Sequence, residues 1–280
     1  MRLLFIGDIV GRSGRAIVLD RLPGLRRDWN LDCVVINGEN AAGGFGITEA
    51  ICNDLIDAGA DAVTLGNHSW DQREAMVFIA RQPRLVRPAN MNRGTPGRGA
   101  TLVETKSGAR VLVVNLIGRL YMALYRDPFP AADHEIGACP LGSGCDAAIV
   151  DMHAEASSEK QAMGAYLDGR VSLVVGTHTH VPTADHQILK GGTAFMSDAG
   201  MTGDYDSIIG MDKDEPVRRF LESTPSGKLE AALGPGTLCG VAVETDDKTG
   251  LALKVAPVRL GGSSLSEAAP GFWGRVGKAG

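Results

Sequence analysis

Short polar clusters follow apolar runs at five places in the sequence. The run at 34–36 leads directly to Asn37, Glu39 and Asn40, which brings a carboxylate and two amides to the exit of a predicted buried strand. Four further runs end in the same way, at Asp8, at Asn67 with His68, at His153, and at His178 with His180. Four of the six histidines therefore stand at strand exits, where they can bind a metal ion or transfer a proton.

The types of donor in these clusters narrow the chemistry. Imidazole, carboxylate and amide groups without thiolate suit iron, manganese or zinc, and do not suit a structural cysteine-rich zinc site. Seven or eight candidate ligands are too many for one tetrahedral ion and about right for two ions bridged by a carboxylate. Water held between two such ions loses a proton near neutral pH and can attack phosphorus in line with the leaving oxygen. The clusters together predict phosphoester hydrolysis.

Each cluster also has an ordinary explanation when it is taken alone. Asp8 is typical of a turn or a cap, and Asn67 tolerates a left-handed turn conformation. His178 and His180 lie on one side of an extended segment, which suits two ligands or a pair of surface histidines. His153 alone fits a structural role. The recurrence of the pattern after five runs favours a site, whereas His134 and His186 lack this placement and are interpreted as structural or surface residues.

The elements that must position these residues follow an α/β pattern. Four apolar runs are each followed by a helical pattern, which predicts strands at 2–7, 32–37, 61–66 and 146–152 and helices at 14–29, 48–59, 71–82 and 157–169. Thr48 with Glu49, and Ser157 with Glu159, predict helix N-termini, and Pro23 is expected to end or kink the first helix. Because ligands of open α/β sheets bind at the carboxyl ends of strands, the five clusters are expected to converge.

The later part of the chain differs in its predicted secondary structure. Six strand-like runs occur with little helix between them, which predicts a second sheet or a mixed sheet, at 100–105, 109–118, 171–176, 192–200, 237–246 and 251–260. Residues 119–147 are expected to form a surface excursion or lid, and residues 200–215 a loop near the site. The tail at 261–280 is expected to be irregular, with Phe272 and Trp273 docking onto the body or a partner. We interpret residues 1–280 as a single domain.

Composition limits the function classes. The chain has 280 residues, 44% hydrophobic and 22% charged, with a net charge of −5, which argues against a broad duplex nucleic-acid footprint. No apolar run approaches the roughly 20 residues of a membrane span, and Asp8 interrupts the apolar N-terminus, which makes it a poor signal peptide. Five cysteines without CxxC spacing predict a reduced, cytoplasmic protein. A thiol site or a loop bridge at Cys139 and Cys145 stays open.

The order and spacing of the motifs resemble a known family. The series GD, GEN, GNH, H and GTHTH resembles the calcineurin-like metallophosphoesterases, and more closely the YmdB-like bacterial branch, described as 2′,3′-cyclic-nucleotide phosphodiesterases. The likeness runs from Met1 to about Arg259, and it implies a two-sheet metallophosphoesterase-type β-sandwich flanked by helices. The sequence departs from the broad superfamily at Val10, Glu39 and Ser69, where histidine, aspartate and an acid are usual. These departures match the closer branch.

The resemblance also implies a role for each residue. Asp8, Glu39, Asn40 and His180 would hold the first ion, and Glu39 would bridge to a second ion completed by Asn67, His153 and His178. His68 would donate a proton to the leaving oxygen while metal-bound hydroxide attacks the phosphorus of a 2′,3′-cyclic nucleotide. Iron or manganese is the expected metal, with zinc also tolerated. Substrate-binding residues are not identified by these motifs.

Alternative functions remain open at this stage. The same centre could serve a phosphomonoesterase, a protein phosphatase or an RNase acting on RNA ends, because the metals fix the chemistry and not the substrate. A nucleotide-sensing regulator with incidental hydrolysis is a further alternative, and self-association is left open. A Rossmann-like domain without metal would need GxGxxG after the first strand, which residues 7–14 do not provide.

Overall fold

A computed structural model describes residues 1–222, 227–262 and 264–274. Its strands are β1 (Arg2–Ile6), β2 (Cys33–Asn37), β3 (Ala62–Thr64), β4 (Leu85–Val86), β5 (Ala100–Glu104), β6 (Arg110–Ile117), β7 (Ala147–His153), β8 (Leu173–Thr177), β9 (Gln187–Ile188), β10 (Ala194–Met196), β11 (Gly203–Asp204), β12 (Gly236–Thr245) and β13 (Ala252–Leu260). The helices are α1 (Gly11–Asp28), α2 (Glu49–Asp57), α3 (Ala75–Phe78), α4 (Pro128–Ala138), α5 (Ser157–Tyr166) and α6 (Asp214–Glu222), with a 3₁₀ turn at Gly271–Trp273.

The strands form two sheets. The first has the order β11-β12-β1-β2-β3-β4, with β13 paired to β12, and the second has the order β5-β6-β7-β8-β10-β9. In the first sheet β1 to β4 run parallel, and in the second β6, β7, β8 and β10 do so. Antiparallel strands β12, β5 and β9 flank these parallel sets. The predicted two-sheet α/β architecture is confirmed.

Alternating side chains of each strand explain how the sheets pack. Phe5 and Val35 of the first sheet share one buried cluster with Val113 and Ile149 of the second, and this cluster fills the space between the sheets. The intervening residues, such as Ile36, belong to a second cluster under α1 and α2. A third cluster covers the outer face of the second sheet under α4 and α5. The result is a sandwich with helices on both outer faces.

Two helix predictions need correction. Pro23, predicted to end or kink the first helix, does not end it, since α1 continues through it to Asp28, and the kink stays a prediction. The predicted helix at 71–82 shrinks to the four residues of α3 because the preceding residues form turns whose side chains support neighbouring loops. Asp71 contacts the His68 ring, and the Gln72 amide donates to the Phe45 carbonyl at 2.9 Å. Tertiary contacts therefore override the helical pattern there.

The predicted surface excursion at 119–147 is irregular only in part. Helix α4 lies within it, capped by the Asp127 side chain, and its residues Ala132 and Ile136 are buried against the second sheet. Cys139 and Cys145 are both free, and the Cys145 thiol donates to the Cys139 carbonyl at 3.5 Å, so the loop bridge is not formed. Only the segment before α4 is exposed along most of its length.

Other local predictions are confirmed. The Thr48 hydroxyl accepts from the amide of Ile51 at 3.2 Å and caps α2. Helix α5 begins at Ser157, although the cap position is Ala156. Trp273 is buried 5.8 Å from the Trp29 ring, so this part of the tail docks onto the body. Residue 263 and residues 275–280 of the predicted irregular tail lie outside the described residues.

His134 is exposed and His186 is partly buried, and among the described residues neither side chain hydrogen-bonds to the polar clusters at the strand exits. Among the described residues, no helix has the length and apolarity that crossing a membrane requires.

Candidate metal centre

Both sheets contribute to one cluster of polar side chains. Asp8, Glu39 with Asn40, and Asn67 with His68 follow β1, β2 and β3 of the first sheet. His153 ends β7, and His178 with His180 follows β8, in the second sheet. Because these parallel strands end at the same edge of the sandwich, residues up to 170 positions apart in sequence meet there.

Glu39 lies at the middle of the cluster and is fully buried. Its Oε1 is 3.0 Å from His153 Nε2 and accepts from the Asn40 amide at 3.3 Å. Its Oε2 accepts from the backbone N–H of His68 at 3.0 Å. A single carboxylate therefore contacts groups that come from β2, β3 and β7.

His153 contacts residues that follow strands of both sheets. Its Nε2 is 2.8 Å from Asn67 Oδ1 and 3.1 Å from His178 Nδ1. Glu39, His153 and His178 each offer one donor atom within 4.8 Å of the others, a spacing that could hold a metal ion. Gly66 makes this approach possible, because a Cβ atom there would lie 2.3 Å from Glu39 Oε2 and 2.4 Å from His153 Nε2.

Asp8 supplies a second carboxylate with an unusual environment. It is fully buried, and its Oδ2 accepts from the backbone N–H of His178 at 3.2 Å. Its Oδ1 has no hydrogen-bond partner among the described residues, although it is buried 3.9 Å from His153 Nδ1. Since buried polar atoms are normally satisfied, this carboxylate oxygen fits the place of a metal ligand.

His180 and Asn40 meet on the other side of Glu39. Asn40 Nδ2 is 3.1 Å from His180 Nε2, and His180 Nδ1 donates to the Ile209 carbonyl at 2.7 Å. A metal-ligating histidine is commonly fixed in this way. One ring nitrogen donates a hydrogen bond to a carbonyl, and the lone pair of the other nitrogen binds the metal. Ile209 lies in the loop at 200–215, which the sequence placed near the site.

Charge in the site follows from burial and from these contacts. Burial opposes ionisation of Glu39, yet the adjacent His153 ring and the His68 amide lower the pKa of Glu39 to about 2. Burial opposes protonation of His153, but Glu39 and Asp8 raise the pKa of His153 to about 9. Burial and the neighbouring His153 lower the pKa of His178 to about 3. Glu39 is therefore an anion and His178 a neutral imidazole, the forms that bind cations, whereas His153 must lose a proton before it can bind one.

His68 stands apart from the ligand-like groups. Its side chain is 29% exposed, which allows contact with a bound molecule, and its Nδ1 is 2.7 Å from Asp71 Oδ2. The Phe45 ring packs edge-on against it with 5.2 Å between centroids. Asp71 orients the imidazole and leaves Nε2 as the ring atom available for proton transfer.

A buried hydrogen-bond network, which the sequence did not predict, holds His153 through its Nδ1 atom. His153 Nδ1 is 2.9 Å from the Thr177 hydroxyl, which donates to Asp151 Oδ1 at 2.6 Å. Asp151 Oδ2 accepts from Thr64 at 2.6 Å and from Asn37 at 3.1 Å. Burial raises the pKa of Asp151 to about 7 against these hydrogen bonds. The network connects the two sheets and fixes which nitrogen of His153 faces the site.

A second missed group holds the segment that carries His178 and His180. Both histidines have left-handed backbones, with φ of 95° and 66°, which is strained for residues other than glycine. Between them, the Thr179 N–H and hydroxyl donate to Asp198 Oδ2 at 3.1 and 2.7 Å. The buried Lys160 ammonium donates to the same oxygen at 2.8 Å. These contacts keep the strained turn in place.

Glu155 is a further residue that the motifs did not include. Glu155 stands two positions after His153, the last residue of β7. Its Oε2 lies 3.2 Å from His178 Nε2. The only available signal in the sequence was its position next to a candidate ligand.

Comparison with known proteins identifies the family. A model of the YmdB-like protein family matches residues 4–258. The chain belongs to this family. A relative from Bacillus subtilis (strain 168), named 2′,3′-cyclic-nucleotide 2′-phosphodiesterase, is 48% identical over 260 residues, which cover 93% of this chain and 97% of that protein.

Two solved structures share the fold of this YmdB-like chain. A hypothetical protein from Thermus thermophilus has a TM-score of 0.86 and 39% identity, covering 93% of this chain and 99% of that chain. A structure described as a novel phosphatase from Mycoplasma pneumoniae has a TM-score of 0.85 and 32% identity, covering 93% of each chain. This YmdB-like chain and the two solved structures therefore have the same overall fold.

Proposed function

We propose that the chain is a metal-dependent phosphodiesterase that hydrolyses 2′,3′-cyclic nucleotides at the 2′ ester. One observation carries this proposal: the side chains at five strand exits meet in a buried cluster that contains a carboxylate oxygen without a hydrogen-bond partner among the described residues. The B. subtilis relative of that name supports the substrate class.

The donors fit a centre of two metal ions. Asp8, Glu39, Asn40 and His180 would hold one ion, and Glu39 would bridge to the other with Asn67, His153 and His178. The imidazole, carboxylate and amide donors suit iron or manganese first, and zinc is tolerated. When bound, such ions supply positive charge that stabilises a phosphoryl group and lowers the pKa of water.

The chain's own residues then control the proton of the leaving group. Hydrolysis adds water across the bond between phosphorus and the 2′ oxygen, so the 2′ oxygen gains a proton and the product is a nucleoside 3′-phosphate. His68 Nε2 donates that proton, while Asp71 holds the opposite side of the ring at 2.7 Å. His68 therefore marks the side of the centre at which the nucleoside leaves.

Phosphomonoester hydrolysis is the second candidate function. It is favoured by the M. pneumoniae neighbour, which is described as a phosphatase. The two activities need the same metal-binding residues. They differ in the substrate, because a phosphodiester has a second ester group that the site must accommodate and a phosphomonoester has none. A substrate comparison separates them.

The test combines metal analysis with that comparison. Protein purified without oxygen is analysed for metal, and then assayed with 2′,3′-cyclic AMP, 4-nitrophenyl phosphate and a short RNA. We expect two ions per chain and the highest kcat/KM with the cyclic nucleotide. A higher kcat/KM with 4-nitrophenyl phosphate would favour the phosphatase, and preference for the RNA would favour a nuclease. As a control, Glu104→Ala changes an exposed carboxylate and leaves both results unchanged.

A further inference from the structure

Residues 198–202 follow β10 and run between the exits of β1 and β8, which belong to different sheets. All residues of this 198–202 segment are buried. On one side, the Ala199 N–H donates to the Gly176 carbonyl of β8 at 2.9 Å. On the other side, the Thr202 N–H donates to the Asp8 carbonyl at 2.7 Å. The 198–202 segment therefore joins the two sides of the candidate centre.

The backbone of the 198–202 segment lies directly against proposed ligands of the first ion. A Cβ atom at Gly7, the residue before Asp8, would lie 1.9 Å from the Gly200 carbonyl oxygen, so only glycine allows this approach. The Met201 N–H donates to the His180 carbonyl at 3.1 Å. One segment thus holds the backbones of both Asp8 and His180.

The Asp198 side chain fixes the segment to the turn that carries the last two histidines. It is buried, and its Oδ1 accepts from the Gly200 N–H at 2.8 Å. Its Oδ2 accepts from the Thr179 N–H at 3.1 Å, from the Thr179 hydroxyl at 2.7 Å and from the Lys160 ammonium at 2.8 Å. Four donors satisfy the carboxylate, and Lys160 balances its charge, so its position is well determined.

The contacts of Asp198 act where the backbone has least intrinsic preference for its conformation. His178 and His180 have φ of 95° and 66°, a left-handed region that residues other than glycine rarely adopt. Such conformations persist when surrounding contacts determine them. Thr179 stands between the two histidines, so its two hydrogen bonds to Asp198 hold the centre of the turn.

We propose that Asp198 is a positioning residue for both ions of the metal centre. Through Thr179 it fixes the turn that carries His178 and His180, and through the 198–202 segment it fixes the distance from that turn to the exit of β1. This inference rests on the proposed function, because it takes the histidines as metal ligands. His180 is proposed for the first ion and His178 for the second. Loss of the contact between Asp198 and Thr179 should therefore weaken both ions.

The test changes Thr179, because replacing Asp198 would leave the buried Lys160 ammonium unpaired and destabilise the fold. Thr179→Val keeps the shape and removes the hydroxyl, whereas Thr179→Ser keeps the hydroxyl. Metal-free full-length protein is titrated with Mn²⁺ in competition with a fluorescent chelator. We expect both Kd values to rise about tenfold in Thr179→Val, since the Thr179 N–H still donates to Asp198. Thr179→Ser should keep the wild-type values.

Hydrogen exchange in the metal-free protein, measured by NMR, reports the position of the turn without any ion. The N–H groups of His178, Thr179 and Met201 should exchange faster in Thr179→Val, because their acceptors belong to the linked turn and segment. The N–H groups of β2 should keep their wild-type rates. Such a local change separates loss of positioning from a general loss of stability.

A matched control removes a threonine hydroxyl far from the centre. The Thr101 hydroxyl, on β5, donates to the Pro83 carbonyl at 2.8 Å. Thr101→Val should leave both Kd values and the exchange rates of the turn unchanged. Unchanged Kd values in Thr179→Val, weakening of one ion alone, or an equal loss in Thr179→Ser would overturn the inference.

The titration also distinguishes failure of the proposed function. Wild-type protein that binds no Mn²⁺ would refute the proposed metal centre and, with it, the role of Asp198. Wild-type protein that binds two ions, together with a Thr179→Val variant that binds them as tightly, would overturn this inference and leave the proposed function standing.

Discussion

Replacing Thr177 by valine tests whether the buried network sets the affinity of the metal centre. The Thr177 hydroxyl links His153 Nδ1, at 2.9 Å, to Asp151 Oδ1, at 2.6 Å. Valine has nearly the shape of threonine, so the substitution removes both hydrogen bonds without opening a cavity. His153 Nδ1 would lose its acceptor, and the ring would lose the group that fixes its orientation.

The expected loss of metal affinity depends on which hydrogen bonds the variant keeps. Loss of a hydrogen-bond partner of a metal-ligating histidine typically weakens metal binding by about 10–100-fold. Asp151 keeps its hydrogen bonds to Thr64 and Asn37, so the network does not collapse. We therefore expect the lower end of this range, about tenfold in Kd, which corresponds to about 1.4 kcal/mol.

The assay is a competition between the metal-free protein and a fluorescent chelator for Mn²⁺. Thr237→Val is the matched control, because the Thr237 hydroxyl is equally buried but has no hydrogen-bond partner among the described residues. It should leave the Kd unchanged. If Thr177→Val also bound Mn²⁺ as tightly as the wild type, the network would not orient the ligand and the reasoning would be refuted.

Three further substitutions test the other parts of the centre. Glu39→Ala should remove both ions, because one carboxylate is proposed to serve both; metal analysis that still finds two ions per chain would contradict the bridge. His68→Ala should keep the metal and lower kcat by about 10²–10⁴-fold, whereas His134→Ala, on the surface, should leave kcat unchanged. Metal loss on changing His68 would instead make it a ligand. Lys160→Met leaves a buried carboxylate unpaired and should lower the free energy of unfolding in urea by about 3–5 kcal/mol. Lys213→Met, at an exposed pair, should change it by about 1 kcal/mol or less, and equal effects would show that burial does not matter.

The sequence predicted the convergence of the site because strand exits carry an identifiable pattern. An apolar run followed by Asp, Glu, Asn or His marks both the strand and the edge at which it ends, so Asp8 and His153 could be placed together from the sequence alone. The family and the two-sheet fold predicted from these motifs are confirmed. The roles of the individual ligands stay a prediction.

Supporting residues could not be predicted in the same way. Lys160 and Asp198 act through contacts with distant segments, and nothing in their local sequence indicates those partners. Asp151 did leave a signal, since a carboxylate within the apolar run at 147–152 must find hydrogen-bond donors when the strand is buried. That signal shows that a network exists, but it does not show that Thr177 and His153 belong to it.

Local pattern also failed where tertiary contacts dominate. Residues 71–82 have a helical pattern, but Asp71 and Gln72 contact His68 and the Phe45 carbonyl, so most of the helix does not form. Helix α4 was concealed by prolines at 128 and 130, which are compatible with a first helical turn. Pro23 does not end the first helix, since α1 continues to Asp28, and a kink at this position stays a prediction.

The donors of the centre come from both layers of the sandwich, with Glu39 on one and His153 and His178 on the other. An ion bound by donors from both sheets would cross-link the sheets. This cross-link would exist in the folded chain and not in the unfolded one. At a free concentration of about 100 times its Kd, such an ion adds about 2.7 kcal/mol to the folding equilibrium. Chelation should therefore lower the melting temperature as well as the activity, and an unchanged melting curve would mean that nothing bound there holds the layers together.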